Sequence, residues 1–175
     1  MESVSVRDAR QARADATIKL LQEHLPAILR DRPVMLAYVY GSIAEGCPLP
    51  SSDVDIALVW LPDNEQSPYQ RLNAELDIAA EIEEQTGIPN ADVRSINDAP
   101  LKVQGQVLTE GQLLYSRDED LRVEYEVYAR KRYFDFQPVL EMMRKAFFEH
   151  LEADLRKKGL YGGSSQDRES VQQSQ

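Results

Sequence analysis

Residues 34 to 60 read "VMLAYVYGSIAEGCPLPSSDVDIALVW", two continuously apolar, β-prone runs joined by a short segment with two glycines and two prolines. An uninterrupted run of Val, Leu, Ala and Tyr, rather than an alternating one, predicts a strand covered on both faces. Strands are therefore expected at 34–40, ending at Gly41, and at 53–60. Successive side chains of a strand alternate, so Asp53 and Asp55 are expected on one face, close enough to share a cation. Between Val34 and Gln70 the acids Glu45, Asp53, Asp55, Asp63 and Glu65 are offset by no Lys, Arg or His. A phosphate bound here would need a divalent ion to bridge the charges, and Mg²⁺, which prefers oxygen ligands and shares its sites with substrate phosphate, is the natural candidate.

Outward from this segment the helices follow. Ile18, Leu21, Leu25, Ile28 and Leu29 recur at three- and four-residue steps, predicting an amphipathic helix over about 6–30, with Pro26 as a possible bend. Ser67 before Pro68 reads as an N-cap and first helical position, and Gly87 as a stop. That helix is expected to bury Leu72, Leu76, Ala79 and Ile82. A strand at 91–96, a helix at 99–111 and a strand at 113–115 come next, and Asp118 caps a helix to about Phe134. Pro138 either starts a new helix or kinks the old one, after which Val139, Met142, Met143, Ala146, Phe147, Leu151 and Leu155 keep helical spacing as far as Gly159. Met142 and Met143 read as packing residues, as does Trp60 at the end of its strand. The aromatics from Tyr125 to Phe148 suit either their own domain or another chain.

The fold expected is α+β (or α/β), a small sheet flanked by helices. Its predicted parts are residues 1–117 with an N-terminal helix, a helical C-terminal extension over 118–158, and a Gly-, Ser- and Gln-rich disordered tail over 159–175. A chain of 175 residues holds one domain with appendages. Net charge −10 argues against binding along nucleic-acid backbones, because that affinity comes mainly from Lys and Arg. No apolar run has the length of a membrane span, and the N-terminus lacks the apolar core of a signal peptide, so a cytoplasmic protein is expected. A single cysteine, Cys47, excludes an internal disulfide and reads as a loop filler; His24 and His150 read as surface or packing residues.

Gly41 and Ser42 stand where the first strand ends. A glycine lets backbone approach phosphate, N–H groups at a helix start attract anions, and the serine adds a hydroxyl. The Lys of a Walker loop is absent, so the cation would take its place. Taken together, the order strand, Gly41-Ser42, Gly46, Ser52-Asp53, Asp55, strand resembles the signature of the DNA polymerase β-type nucleotidyltransferase superfamily, in particular its minimal form, the MNT domain. The stretch 91–118 is similar to the family's later strand, helix and Gly-turn-Leu-Tyr segment, and "RKRYFDFQPVLEMMRKAFF" (130–148) to the C-terminal helix of MntA-type antitoxins.

The resemblance implies a nucleotidyltransferase fold with nucleotide contacts at Gly41, Ser42, Gly46 and Ser52. It also implies metal ligation by Asp53 and Asp55, and a third carboxylate, Asp92, on a neighbouring strand beside the attacking hydroxyl. Relatives often carry another acid or an apolar residue where this chain has Arg94 and Ser95. By the same resemblance ATP is the substrate, Mg²⁺ the cofactor, and the role that of the antitoxin in a toxin–antitoxin pair, moving AMP onto a tyrosine of a HEPN-domain ribonuclease. Two other readings compete. One is a non-catalytic neutraliser acting by binding alone; the other is a nucleotidyltransferase with a small-molecule acceptor, which usually brings a larger C-terminal domain.

Overall fold

The computed structural model describes residues 4–159. In chain order they form α1 (Val4–Leu29), β1 (Val34–Tyr40), α2 (Gly41–Ala44), β2 (Val54–Trp60), α3 (Pro68–Thr86), β3 (Ala91–Ser95), α4 (Leu101–Glu110), β4 (Gln112–Ser116) and α5 (Glu119–Lys157). The strands make one mixed sheet of order β3-β2-β1-β4. β1 pairs antiparallel with β2 and with β4, while β2 and β3 run parallel, joined by α3 as the crossover. The chain forms two compact units, Met1–Phe134 and Asp135–Gln175.

Both faces of the first unit's sheet are covered, which is why β1 and β2 read as unbroken apolar runs. One face packs Ala37, Val39, Ile56 and Leu58 against Ile18, Leu21 and Leu25 of α1 and Ile78 and Ile82 of α3. The other sets Leu36, Tyr38, Ala57 and Val59 against Val107 and Leu108 of α4 and Ala129 of α5. Trp60 lies in the first cluster, as expected.

α3 begins as its sequence foretells. Ser67 and Gln70 form a reciprocal capping box, Pro68 occupies the first turn, and Gly87 ends the helix in the left-handed region at φ 70°. Its buried stripe differs from the expectation. Ile78 and Ile82 are buried and Ala79 partly so, but Leu72 and Leu76 are 41% and 58% exposed. The helix is turned so that Glu75 faces the sheet, which leaves Leu72 and Leu76 about 60–100° around the axis from it. Glu75 faces inward because β3 is an edge strand whose outward N–H groups need acceptors. Its carboxylate accepts from Ser95 N–H at 2.9 Å, and that of Glu83 from Ala91 N–H at 3.0 Å.

The C-terminal helix also departs from the sequence reading. Asp118 caps it, its carboxylate accepting from Leu121 N–H at 2.9 Å, but no new helix starts at Pro138: α5 continues through that residue to Lys157. Met142 and Met143, expected to pack, are 65% and 60% exposed, and Phe147, an aromatic that suits either its own domain or another chain, is 63% exposed. Among the described residues the second unit consists of this helix alone, so its own unit offers nothing to cover them. The expected disordered tail lies, beyond Gly159, outside the described residues. No described helix is long and apolar enough to cross a membrane.

A single side chain fastens the end of α1 to the start of β1. The Arg117 guanidinium donates through Nε to the Val34 carbonyl at 2.9 Å and through Nη2 to those of Leu29 (3.2 Å), Arg30 (3.0 Å) and Arg32. The Leu29 carbonyl, at the end of α1, also accepts from Arg32 N–H at 3.2 Å. Replacing Arg117 with Ala is expected to lower stability by about 1–3 kcal/mol, the cost of losing a charged donor shared among four carbonyls. Urea denaturation checks this. Arg117→Lys should recover little, because a point charge cannot serve diverging acceptors as a planar fork does.

Candidate active site

The site lies where β1 ends and β2 and β3 begin. Register places Tyr40 of β1 opposite Asp55 of β2, and Asp55 opposite Asp92 of β3, so the three side chains form one row on one sheet face. Asp53, expected as the first residue of this strand, stands instead in the coil immediately before β2. Burial first, then the negative charges of Asp92 and Asp53, hold the Asp55 carboxyl above its ordinary range. Asp92 and the Asp53/Asp55 pair are therefore neighbours on one side of the sheet.

Gly41 closes the row on the β1 side. Its φ of 64° is a left-handed conformation that side chains disfavour, and a Cβ built on it would stand 2.7 Å from Asp55 Oδ2. Only a glycine brings backbone this close to that carboxylate. Ser42 follows on α2, a single turn between β1 and the loop. Gly46 also has positive φ, 71°, and lies under the Gln11 side chain of α1. The Ser52 hydroxyl oxygen accepts from Leu49 N–H at 2.9 Å and closes the loop turn. The structure thus gathers Gly41, Ser42, Asp53, Asp55 and Asp92 around one sheet end and sets Gly46 and Ser52 in the loop joining its strands.

Two further residues belong to this neighbourhood. Tyr40 is half-buried; burial, and then the charges of Asp55 and Asp92, push its phenol up, while Arg94 opposes them. Arg94 itself donates from Nε to Asp92 Oδ1 at 2.8 Å. Neither role was read from the sequence. Alternation along β3 does place Arg94 on the face of Asp92, two residues on, but Tyr40 joins the row only through the β1–β2 register.

Residues 23–120 match the family model of the polymerase β nucleotidyltransferases. The chain belongs to this family. No protein of curated function matches it in sequence. Solved structures that it resembles include toxin–antitoxin complexes. One is a mutant MntA-HpeT, 18% identical over 75% of this chain and 98% of that chain, with a TM-score of 0.56. Another is a toxin–antitoxin with AMP-PNP, 20% identical over 75% and 98%, with a TM-score of 0.55. A third is the tri-AMPylated HEPN toxin of Shewanella oneidensis in complex with its MNT antitoxin, 18% identical over 77% and 98%, with a TM-score of 0.52. At these identities the likeness is one of fold. It agrees with the expected nucleotidyltransferase architecture, a mixed four-stranded sheet with flanking helices and a C-terminal helix.

The residues of this nucleotidyltransferase sheet end fit a hard divalent cation. The donors are all carboxylate oxygens, burial and then their mutual repulsion raise the Asp55 carboxyl, and Gly41 removes the side chain that would crowd Asp55. The cage is not preassembled: among the described residues no three His, Cys, Asp or Glu side chains stand grouped for a metal ion, and Asp92 is paired with Arg94.

Because Asp55 has a raised carboxyl in the folded chain, its charge burdens the fold above that folded pKa, and the burden disappears as pH falls through it. Asp55→Asn is thus expected to melt at a higher temperature than the parent at pH 7 without divalent cations. The gap should close on acidification. Thermal scans in chelator-treated buffer across pH 4–8 check the sign; a lower melting temperature at pH 7 would contradict it.

Proposed function

We propose that this nucleotidyltransferase is an MNT-type antitoxin enzyme that transfers AMP from ATP to a tyrosine hydroxyl of a HEPN ribonuclease toxin. The observation that carries the proposal is the row of Asp55 and Asp92, with Asp53 beside them, next to the left-handed Gly41. The fold shared with MntA-type complexes, one bearing an AMPylated HEPN toxin and one an ATP analogue, supports partner and nucleotide.

In this reading the Gly41–Ser42 backbone and the Ser42 hydroxyl cradle the triphosphate, and Gly46 and Ser52 shape the loop beside it. Asp53 and Asp55 hold Mg²⁺, with Asp92 completing the set. The cation, when bound, supplies charge neutralisation on the α-phosphoryl group and the leaving pyrophosphate. The acceptor oxygen forms its bond to the α-phosphorus as the α–β bridging oxygen departs with pyrophosphate, and Asp92 takes the hydroxyl proton. Positioning and electrostatics carry most of the rate, as in other phosphoryl-type transfers.

The test uses ATP labelled at the α- or at the γ-phosphate, with Mg²⁺ and the HEPN protein. Label from the α position alone should appear on that protein, and hydrolysis should return tyrosine O-adenylate. Toxin neutralisation with no transfer of either label would favour action by binding alone.

A further inference from the structure

Arg94 is a basic residue whose ion pair engages a carboxylate of the site, and its placement follows from the strand. It lies two residues beyond Asp92 on β3, opposite Ala57 of β2, and so on the sheet face that carries Asp55 and Asp92. Ala57 is small and buried, so nothing on the neighbouring strand obstructs a guanidinium folding back along β3. Arg94 does fold back: its Nε donates to Asp92 Oδ1 at 2.8 Å, and its charge reaches Tyr40 on the third strand of the row. The side chain therefore faces the carboxylates although more than half of it is exposed.

We propose that Arg94 is a latch on Asp92: it occupies this carboxylate while the site holds no cation, and a divalent ion must displace the guanidinium to bring Asp92 into its ligand set. The inference rests on the metal-dependent reading given above and adds a positioning residue to it. Arg94 acts through Asp92, which it holds in an ion pair at 2.8 Å. An exposed pair of this kind is weak, which suits a latch. It offsets one negative charge of the site yet yields to a divalent ion.

The consequence is opposite to that of an ordinary site residue: removing Arg94 should tighten the binding of cation. The full-length protein, without nucleotide, is titrated with Mn²⁺ while free Mn²⁺ is followed by electron paramagnetic resonance. Arg94→Gln should bind roughly two- to five-fold more tightly than the parent, the range an exposed ion pair can oppose. Arg94→Gln would also tighten binding simply by removing positive charge, so the same substitution is made on Asp92→Asn. There the gain should shrink toward unity, because a latch has nothing left to hold. Equal gains in both backgrounds, or none in the parent, would overturn the latch. Asp55→Asn separates this from the reading beneath it. If the parent and Arg94→Gln bind Mn²⁺ no better than Asp55→Asn does, the metal site itself is refuted and the latch falls with it.

Discussion

Replacing Asp55 with Asn is expected to reduce adenylate transfer by at least about a hundredfold in kcat, the scale on which a single preorganised electrostatic group contributes to catalysis. The substitution keeps size and shape and removes one charge. Asp55 is the member of the row with neighbours on both sides, Tyr40 across β1–β2 and Asp92 across β2–β3, so no adjacent carboxylate can take its place in the ligand set. The fold should survive, because the folded chain already disfavours the charge at this position. Single-turnover transfer to the HEPN partner, with circular dichroism and melting as controls, reads both effects. Loss of transfer with a melting temperature no lower than the parent's is the expected pair; parental transfer would remove Asp55 from the site.

The second large effect concerns stability and runs against helix propensity. Gly105 sits inside α4, where a glycine ordinarily weakens a helix, and substitution by a residue with a side chain would be expected to help. A Cβ at this position, however, would meet the Tyr133 ring of α5 at 2.1 Å, at the root of the ring rather than at a movable tip. Tyr133 is 8% exposed and has little room to withdraw. Gly105→Val is therefore expected to cost about 2–3 kcal/mol as overpacking, a fall of roughly 5–10 °C for a chain of this size. Combining it with Tyr133→Ala should cost clearly less than the sum of the two single changes, since each then relieves the other. An additive double variant, or a Gly105→Val chain as stable as the parent, would contradict this packing.

These cases mark where the sequence was readable and where it was not. β1 and β2 could be placed because both of their faces are buried, and apolar runs report that directly. α3 could be bounded because its ends are local chemistry, Ser67 with Pro68 at one end and Gly87 at the other. Which side of α3 turns inward could not be read, because it depends on Glu75 meeting the edge of β3, a partner twenty residues away in the chain. For the same reason Met142 and Met143 looked like core residues: helical spacing shows that a face is apolar, not that anything covers it. At the site, alternation paired Asp53 with Asp55, and the resemblance supplied Asp92. The alignment of Tyr40, Asp55 and Asp92 needs strand register, and the Arg94–Asp92 bond needs a side-chain conformation.

A crystal structure of the protein with Mg²⁺ and a non-hydrolysable ATP analogue bears most directly on the claim that this sheet end is the transfer site. The triphosphate is expected against the Gly41–Ser42 backbone, with metal bound by Asp53 and Asp55, and Arg94 released from Asp92. A nucleotide bound elsewhere, with Asp53 and Asp55 free of metal and Arg94 still on Asp92, would contradict that claim.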